Sequence, residues 1–217
     1  MFMTIFSLAL LIFSAWYVPF KLKRLWGAKK TCLPVQIAVF VLIAGYIGIL
    51  MTGVYTLANP IAAAAYNILG LFLIFQVYLL IYLLLVQLLH PFLKKVSGKI
   101  VAAMGLVLCI GLVGFGFIKA QIFTVTDHQI SVSGLARPVT VMHIPDLHLG
   151  AQRSEAYLQK VIATINMYNP NIVLYNGDLI DSNIVLRPEL FALFRDVRSE
   201  QYFTTGNHEF YIDTTKA

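Results

Sequence analysis

Three short clusters in the second half of this chain carry its chemistry: Asp146-Leu147-His148, Gly177-Asp178 and Gly206-Asn207-His208-Glu209. Each follows an apolar run. Carboxylate, imidazole and amide oxygens together form a mixed oxygen and nitrogen donor set without thiolates, which suits Mn, Fe or Zn better than Ca or Mg. In an extended segment, residues two apart point the same way, so Asp146 and His148 are expected to reach one ion together. Gly177 and Gly206 let the backbone turn sharply and come close to whatever is bound.

The elements that position these clusters can be read from the spacing. Asp146 lies 32 positions before Asp178, and Asp178 lies 29 before Asn207. One strand–helix–strand unit takes about 30 residues. "PVTVMHI", "NIVLYNGD" and "QYFTTGNHE" read as strands running into turns. Between them, "SEAYLQKVIATINMYN" has helical spacing, with Tyr157, Val161, Ile162 and Ile165 on one stripe and Ser154 as N-cap. "RPELFALFRDV" is helical again, with Pro188 in its first turn. Alternating strands and helices with short connections predict a parallel sheet. Its carboxyl edge, where open α/β sheets place ligands, then collects all three clusters. Upstream, "IFTVT" and "QISVSG" predict a hairpin with Asp127 and His128 in its turn.

The first half has a different grammar. The 217 residues are 59% hydrophobic and 12% charged, against about 25% charged in ordinary soluble domains. All ten acidic residues lie between Asp127 and Asp213. Four apolar segments, roughly 1–20, 33–58, 61–89 and 100–118, reach or nearly reach the 20 residues a spanning helix needs. Three spans with one interfacial segment is the alternative. The first segment lacks the positive start of a cleavable signal. The loop at 21–30 carries Lys21, Lys23, Arg24, Lys29 and Lys30, and the loop at 90–99 carries Lys94, Lys95 and Lys99. "GVYTLANP" between them is uncharged. Positive loops stay cytoplasmic, so everything after about Lys119 is expected outside the cytoplasm. Trp16, Tyr17 and Trp26 fit interfacial anchors. Cys32 and Cys109 have no His or Cys company and read as small buried side chains. Basic charge confined to short loops between apolar stretches points to a membrane surface, and nucleic-acid binding is not expected.

"DLH", "GDLID" and "GNHE", in this order and each after a strand, resemble the first three motifs of the calcineurin-like metallophosphoesterase superfamily: D-x-H, G-D and G-N-H-[DE]. The resemblance covers about 138–210, and membrane-anchored bacterial members look most similar. Most relatives have Ser where this chain has Pro145, a change that stiffens the turn without removing a ligand. The resemblance implies a four-helix transmembrane region (1–119) followed by a partial α/β (βαβαβ) metallophosphoesterase domain (120–217). It implies two divalent metal ions, of Mn, Fe or Zn. Asp146 and His148 would bind the first, Asp178 would bridge both, and Asn207 would bind the second. His208 would act as general acid or stabilise the transition state. Two ions about 3.5–4 Å apart can clamp a phosphate, activate a bridging water and stabilise in-line displacement. The implied reaction is hydrolysis of a phosphomonoester, phosphodiester or pyrophosphate; membrane tethering is compatible with a lipid-linked phosphate or pyrophosphate, and soluble substrates stay open. The implied place is a bacterial inner or plasma membrane, with the catalytic domain extracytoplasmic.

The superfamily pattern continues with a further His and a G-H-x-H segment, whereas His208 is the last His of this chain. The expectation is a C-terminally truncated enzyme that is inactive by itself, with an apolar sheet face left open. The alternative is a non-catalytic membrane protein whose degenerate domain binds a metal or a partner. A small-molecule carrier is disfavoured, since the spans hold no ionisable residue of the kind that marks transport pathways. Other residues read plainly: His143 as a packed or hydrogen-bonded structural histidine, Asp181 as a solvated or helix-start carboxylate, and Glu209 as support for the site rather than a ligand. His90 reads as interfacial and His128 as a turn residue.

Overall fold

The computed structural model describes residues 2–29, 32–52, 60–181 and 188–211. The chain divides into two compact units: Met1–Thr52 with Tyr66–Ala120, and Gly53–Ala65 with Gln121–Ala217.

Four long helices dominate the first half: α1 (Phe2–Trp26), α2 (Leu33–Thr52), α3 (Pro60–Leu88) and α5 (Gly98–Ala120), with a single turn, α4 (His90–Leu93), before the last. Within them, Phe6–Trp26, Leu33–Met51, Ile61–Leu88 and Gly98–Ala120 are long and apolar enough to cross a membrane. The expected count of four thus holds. The first segment, however, runs past residue 20 to Trp26, so Lys21, Lys23 and Arg24 are helical rather than in a loop. Lys, Arg and Leu are good helix formers, and long basic side chains can snorkel from an apolar stem. The second helix ends at Thr52, and the rest of its expected segment lies outside the described residues.

Several polar groups in these helices find partners within the helical unit, as an apolar solvent favours. Tyr82 donates its hydroxyl to Val101 O at 2.7 Å, and Gln76 donates Nε2 to Ser14 O at 3.2 Å. Buried Lys21 donates Nζ to Gln87 Oε1. Small residues let helices approach. A Cβ on Gly105 would lie 2.2 Å from the Tyr82 ring, and one on Gly98 would lie 2.5 Å from Leu25 O. Val18, Leu79, Leu80, Leu83 and Cys109 form the buried centre.

In the second unit, three strands form one parallel sheet in the order β1-β2-β3: β1 (Val141–Pro145), β2 (Ile172–Asn176) and β3 (Glu200–Thr204). Helix α6 (Glu155–Tyr168) joins the first two; α7 (Pro188–Ala192) and the 3₁₀ turn Leu193–Asp196 precede the third; α8 (Asn207–Tyr211) follows it. This is the expected βαβαβ order. The register aligns Pro145, Asn176 and Thr204 across the sheet, so all three strands end level.

The predicted stripe of α6 is buried, joined by Leu158, and packs with Val173 and Tyr175 of β2. Each such side chain contributes about 1.5–3 kcal/mol. Ser154 is the N-cap residue, but its side chain makes no cap hydrogen bond. Its carbonyl accepts from Tyr157 N and Leu158 N instead. Asn169 closes the helix in a left-handed cap, donating its N–H to Ile165 O.

Two expectations fail here. The stretch 122–133 forms no strand, so there is no hairpin. Two short strands are marginal without a sheet to pack on, and here Ile130 and Val132 are exposed; Phe123 instead packs edge-on to Tyr157, centroids 5.8 Å apart. His143 is exposed rather than packed. It lies on the sheet face opposite α6, in a row with exposed Leu174 and Tyr202.

Candidate metal centre

The level strand ends feed three turns whose backbone is unusual. Asp146, His148 and Asp178 have φ of 51°, 46° and 49°. Left-handed values cost a non-glycine residue roughly 1–2 kcal/mol each. Such residues persist only where the surrounding structure over-determines them. Here the first two turns are hydrogen-bonded to each other. His148 N donates to Asp178 O at 2.8 Å, Leu149 N to Leu179 O at 2.8 Å, and Asp181 N to Leu149 O at 2.9 Å. Leu149 itself is wholly buried. Arg153 Nη1 donates to the carbonyls of Asp146 and Leu147 at 2.8 and 3.1 Å. Its guanidinium lies 5.3 Å from the Tyr157 ring centroid, tying this turn to α6.

The second and third turns interlock more tightly. Gly177 has φ of 75°, and a Cβ there would lie 3.0 Å from Gly206 Cα. A Cβ on Gly206 would lie 2.2 Å from Asp178 Oδ1 and 2.4 Å from Asp178 N. Only glycine fits at 206. The buried Glu209 carboxylate accepts three backbone N–H groups: Gly206 at 2.7 Å, Asp178 at 3.0 Å and Ile180 at 3.2 Å. Asp178 reciprocates, its Oδ1 accepting His208 N at 2.9 Å. Each acid thus uses its side chain to fix the backbone that carries the other.

The product of these turns is a cluster. His148, Asp178 and His208 each offer a ligand atom, and the three atoms all lie within 4.8 Å of one another. His148 Nε2 is 3.8 Å from Asp178 Oδ2. The two imidazoles meet edge-to-face with centroids 4.5 Å apart. Ligand pairs on one ion at about 2.1 Å stand roughly 3–4 Å apart, so these donors need close by only about 1 Å. The His148 imidazole and the Asp178 carboxylate suit a first-row divalent ion, and the His208 imidazole stands beside them. The residues present fit the metal that the motifs imply.

Asp146 is left out of this trio. The expected extended geometry does not occur, because the chain turns left-handed at both Asp146 and His148. The Asp146 side chain is exposed, and its carbonyl is held by Arg153. Asn207 begins α8 and is exposed. Asp181, read from sequence as a solvated or helix-start carboxylate, is instead aimed at both imidazoles. Its Oδ1 lies 3.1 Å from His208 Nδ1 and 3.7 Å from His148 Nδ1. The available signal was its place one turn beyond Asp178. The Glu209 carboxylate is taken up by the backbone of the second and third turns. Below the site, Tyr175 Oη donates to Gln201 Oε1 at 3.0 Å, and burial pushes its phenol far above the ordinary value.

Fold and site together define a class: an α/β region with a metal-type donor cluster at the carboxyl edge of a parallel sheet. Comparison with known proteins gives that class a family. Residues 139–217 match the family model described as calcineurin-like phosphoesterase, so this stretch of the chain is similar to that family. A protein of Danio rerio named transmembrane protein with metallophosphoesterase domain is 32% identical over 114 residues, which is 50% of this chain and 26% of that protein. An uncharacterized metallophosphoesterase of Campylobacter jejuni is 29% identical over 85 residues, 38% of this chain and 23% of the relative. A third, from Helicobacter pylori, is 22% identical over 89 residues, 40% and 24% respectively. The alignments thus span about a quarter of the length of these curated relatives. No solved structure matches.

Proposed function

We propose that the chain is the membrane-anchored, motif-bearing part of a phosphoesterase that hydrolyses a phosphomonoester, phosphodiester or pyrophosphate outside the cytoplasm. The observation that carries this reading is the convergence of His148, Asp178 and His208 at one sheet edge, with ligand atoms within 4.8 Å. Asp146, His148, Asp178 and Asn207 would hold the two ions, with Asp178 shared. When bound, the ions would supply phosphate binding and an activated water. Asp178 holds the third turn through His208 N, and Glu209 holds Asp178. His208 would deliver a proton to the leaving oxygen. Asp181, with Oδ1 3.1 Å from its Nδ1, would orient the ring. Orientation rests on the basic residues grouped at one end of the helices and the uncharged connection between the second and third spans. A lipid-linked phosphate is the favoured substrate class, because tethering concentrates the site at the bilayer.

The test uses the chain in detergent with Mn²⁺ or Zn²⁺, an aryl phosphate and an aryl phosphodiester, beside an Asp178→Ala control. Metal-dependent turnover above the control is expected to be slow, since the later His and the G-H-x-H segment are not among the 217 residues. No metal binding, and no turnover above the control, would overturn the reading.

A further inference from the structure

One end of the helical unit gathers cations with no acid to answer them. Residues 1–126 contain no Asp or Glu. Gly98, at the start of α5, packs against Leu25 O near the end of α1, and Lys21 of α1 is bonded to Gln87 of α3. These contacts bring the ends of α1 and α3 and the start of α5, with the basic residues beside them, to one place. Arg24, Lys29, Lys94, Lys95 and Lys99 are exposed there, and Lys23 is half-buried. Lys21 adds its charge from the helix interface behind them. Among the described residues, none of these cations has a carboxylate partner at ion-pair distance.

Between the cations stand exposed apolar side chains: Phe92 at 84%, Ile100 at 55%, Trp26 at 44% and Val96 at 41%. A polyanion in water, such as a nucleic acid, would leave those groups wet. A phospholipid surface matches both parts, its acyl boundary taking the apolar groups and its phosphates the cations. We propose that this end is a docking collar for anionic phospholipid headgroups, which it selects over zwitterionic ones. Its chemistry is separate from the hydrolytic site, and it stands whether or not the chain is an enzyme.

Trp26 sits inside the collar and serves as reporter. The chain has two tryptophans, so a Trp16→Phe variant leaves Trp26 alone. This variant is reconstituted in equal parts of phosphatidylglycerol and phosphatidylcholine, with one or the other brominated on its acyl chains. Brominated phosphatidylglycerol should quench Trp26 more, corresponding to a preference of about 3-fold or greater. High salt should shrink that preference. In Lys94→Gln/Lys95→Gln/Lys99→Gln it should fall toward parity. Equal quenching by the two lipids in the Trp16→Phe protein overturns the proposal, and that comparison stands even where the triple variant fails to insert. An RNA oligomer that binds the chain and abolishes the preference would reassign the surface to nucleic acid.

Discussion

Replacing Gly206 with Ala tests the interlocked turns most sharply. The added Cβ would stand 2.2 Å from Asp178 Oδ1 and 2.4 Å from Asp178 N, against ordinary contact at 3.4–4 Å. The second atom is backbone, so no rotamer change relieves the overlap. The turns must part by about 1 Å, and overpacking of that kind costs about 1–3 kcal/mol. Parting them also stretches two charge-assisted hydrogen bonds, Asp178 N to Glu209 and His208 N to Asp178. Losing one adds about 1.5–3 kcal/mol. The expected total, about 3–6 kcal/mol, is a large share of the 5–15 kcal/mol that stabilises a typical domain. Gly134→Ala is the control. It also has positive φ, 84°, but nothing lies within 4 Å of its Cβ, so it should cost only about 1 kcal/mol. The assay is protease cleavage after Gln121 as a function of urea, in a detergent that keeps the helices folded. Equal midpoints for the two variants would refute the steric argument.

Glu209→Gln should cost about 2–4 kcal/mol in the same assay and weaken Zn²⁺ binding. An amide offers one oxygen, and its NH₂ opposes N–H donors, where the carboxylate now serves three. Asp178→Ala should lose bound metal, whereas His208→Ala should retain it and lower turnover about 10²–10⁴-fold. Metal analysis beside kinetics decides, and equal metal loss would make His208 a ligand. Gly105→Leu should separate α5 from Tyr82, where a Cβ alone would come within 2.2 Å; thermal aggregation in detergent should begin at a lower temperature than for Gly116→Leu, which meets nothing.

The βαβαβ order was legible because each strand and helix declared itself locally, through an apolar run or a 3.6-residue stripe, and the motif spacing matched one unit each time. The hairpin at 122–133 misread because β-branched alternation is only a propensity, and pairing needs a neighbour that the fold does not supply there. Asp146 and His148 misread for a different reason. Their types were legible, but their mutual direction depended on left-handed φ values imposed by hydrogen bonds from residues 30 positions away. Asp181 faces the imidazoles only because the first and third turns are both brought beside the second, a tertiary fact that no local pattern carries.

Glycine is the residue that left-handed backbone prefers, yet the chain places Asp at 146, where φ is 51°. The exposed side chain makes this position a clean measure of a trade between robustness and chemistry. Asp146→Gly would relax the turn by about 1 kcal/mol, partly offset by the greater freedom glycine gives the unfolded chain. Asp146→Ala would remove the same carboxylate and keep the strain. The two variants should therefore be equally poor at binding metal and unequal in stability, with glycine ahead. Equal loss of metal, with glycine ahead in stability, would mark the carboxylate at 146 as kept for the metal rather than for the fold.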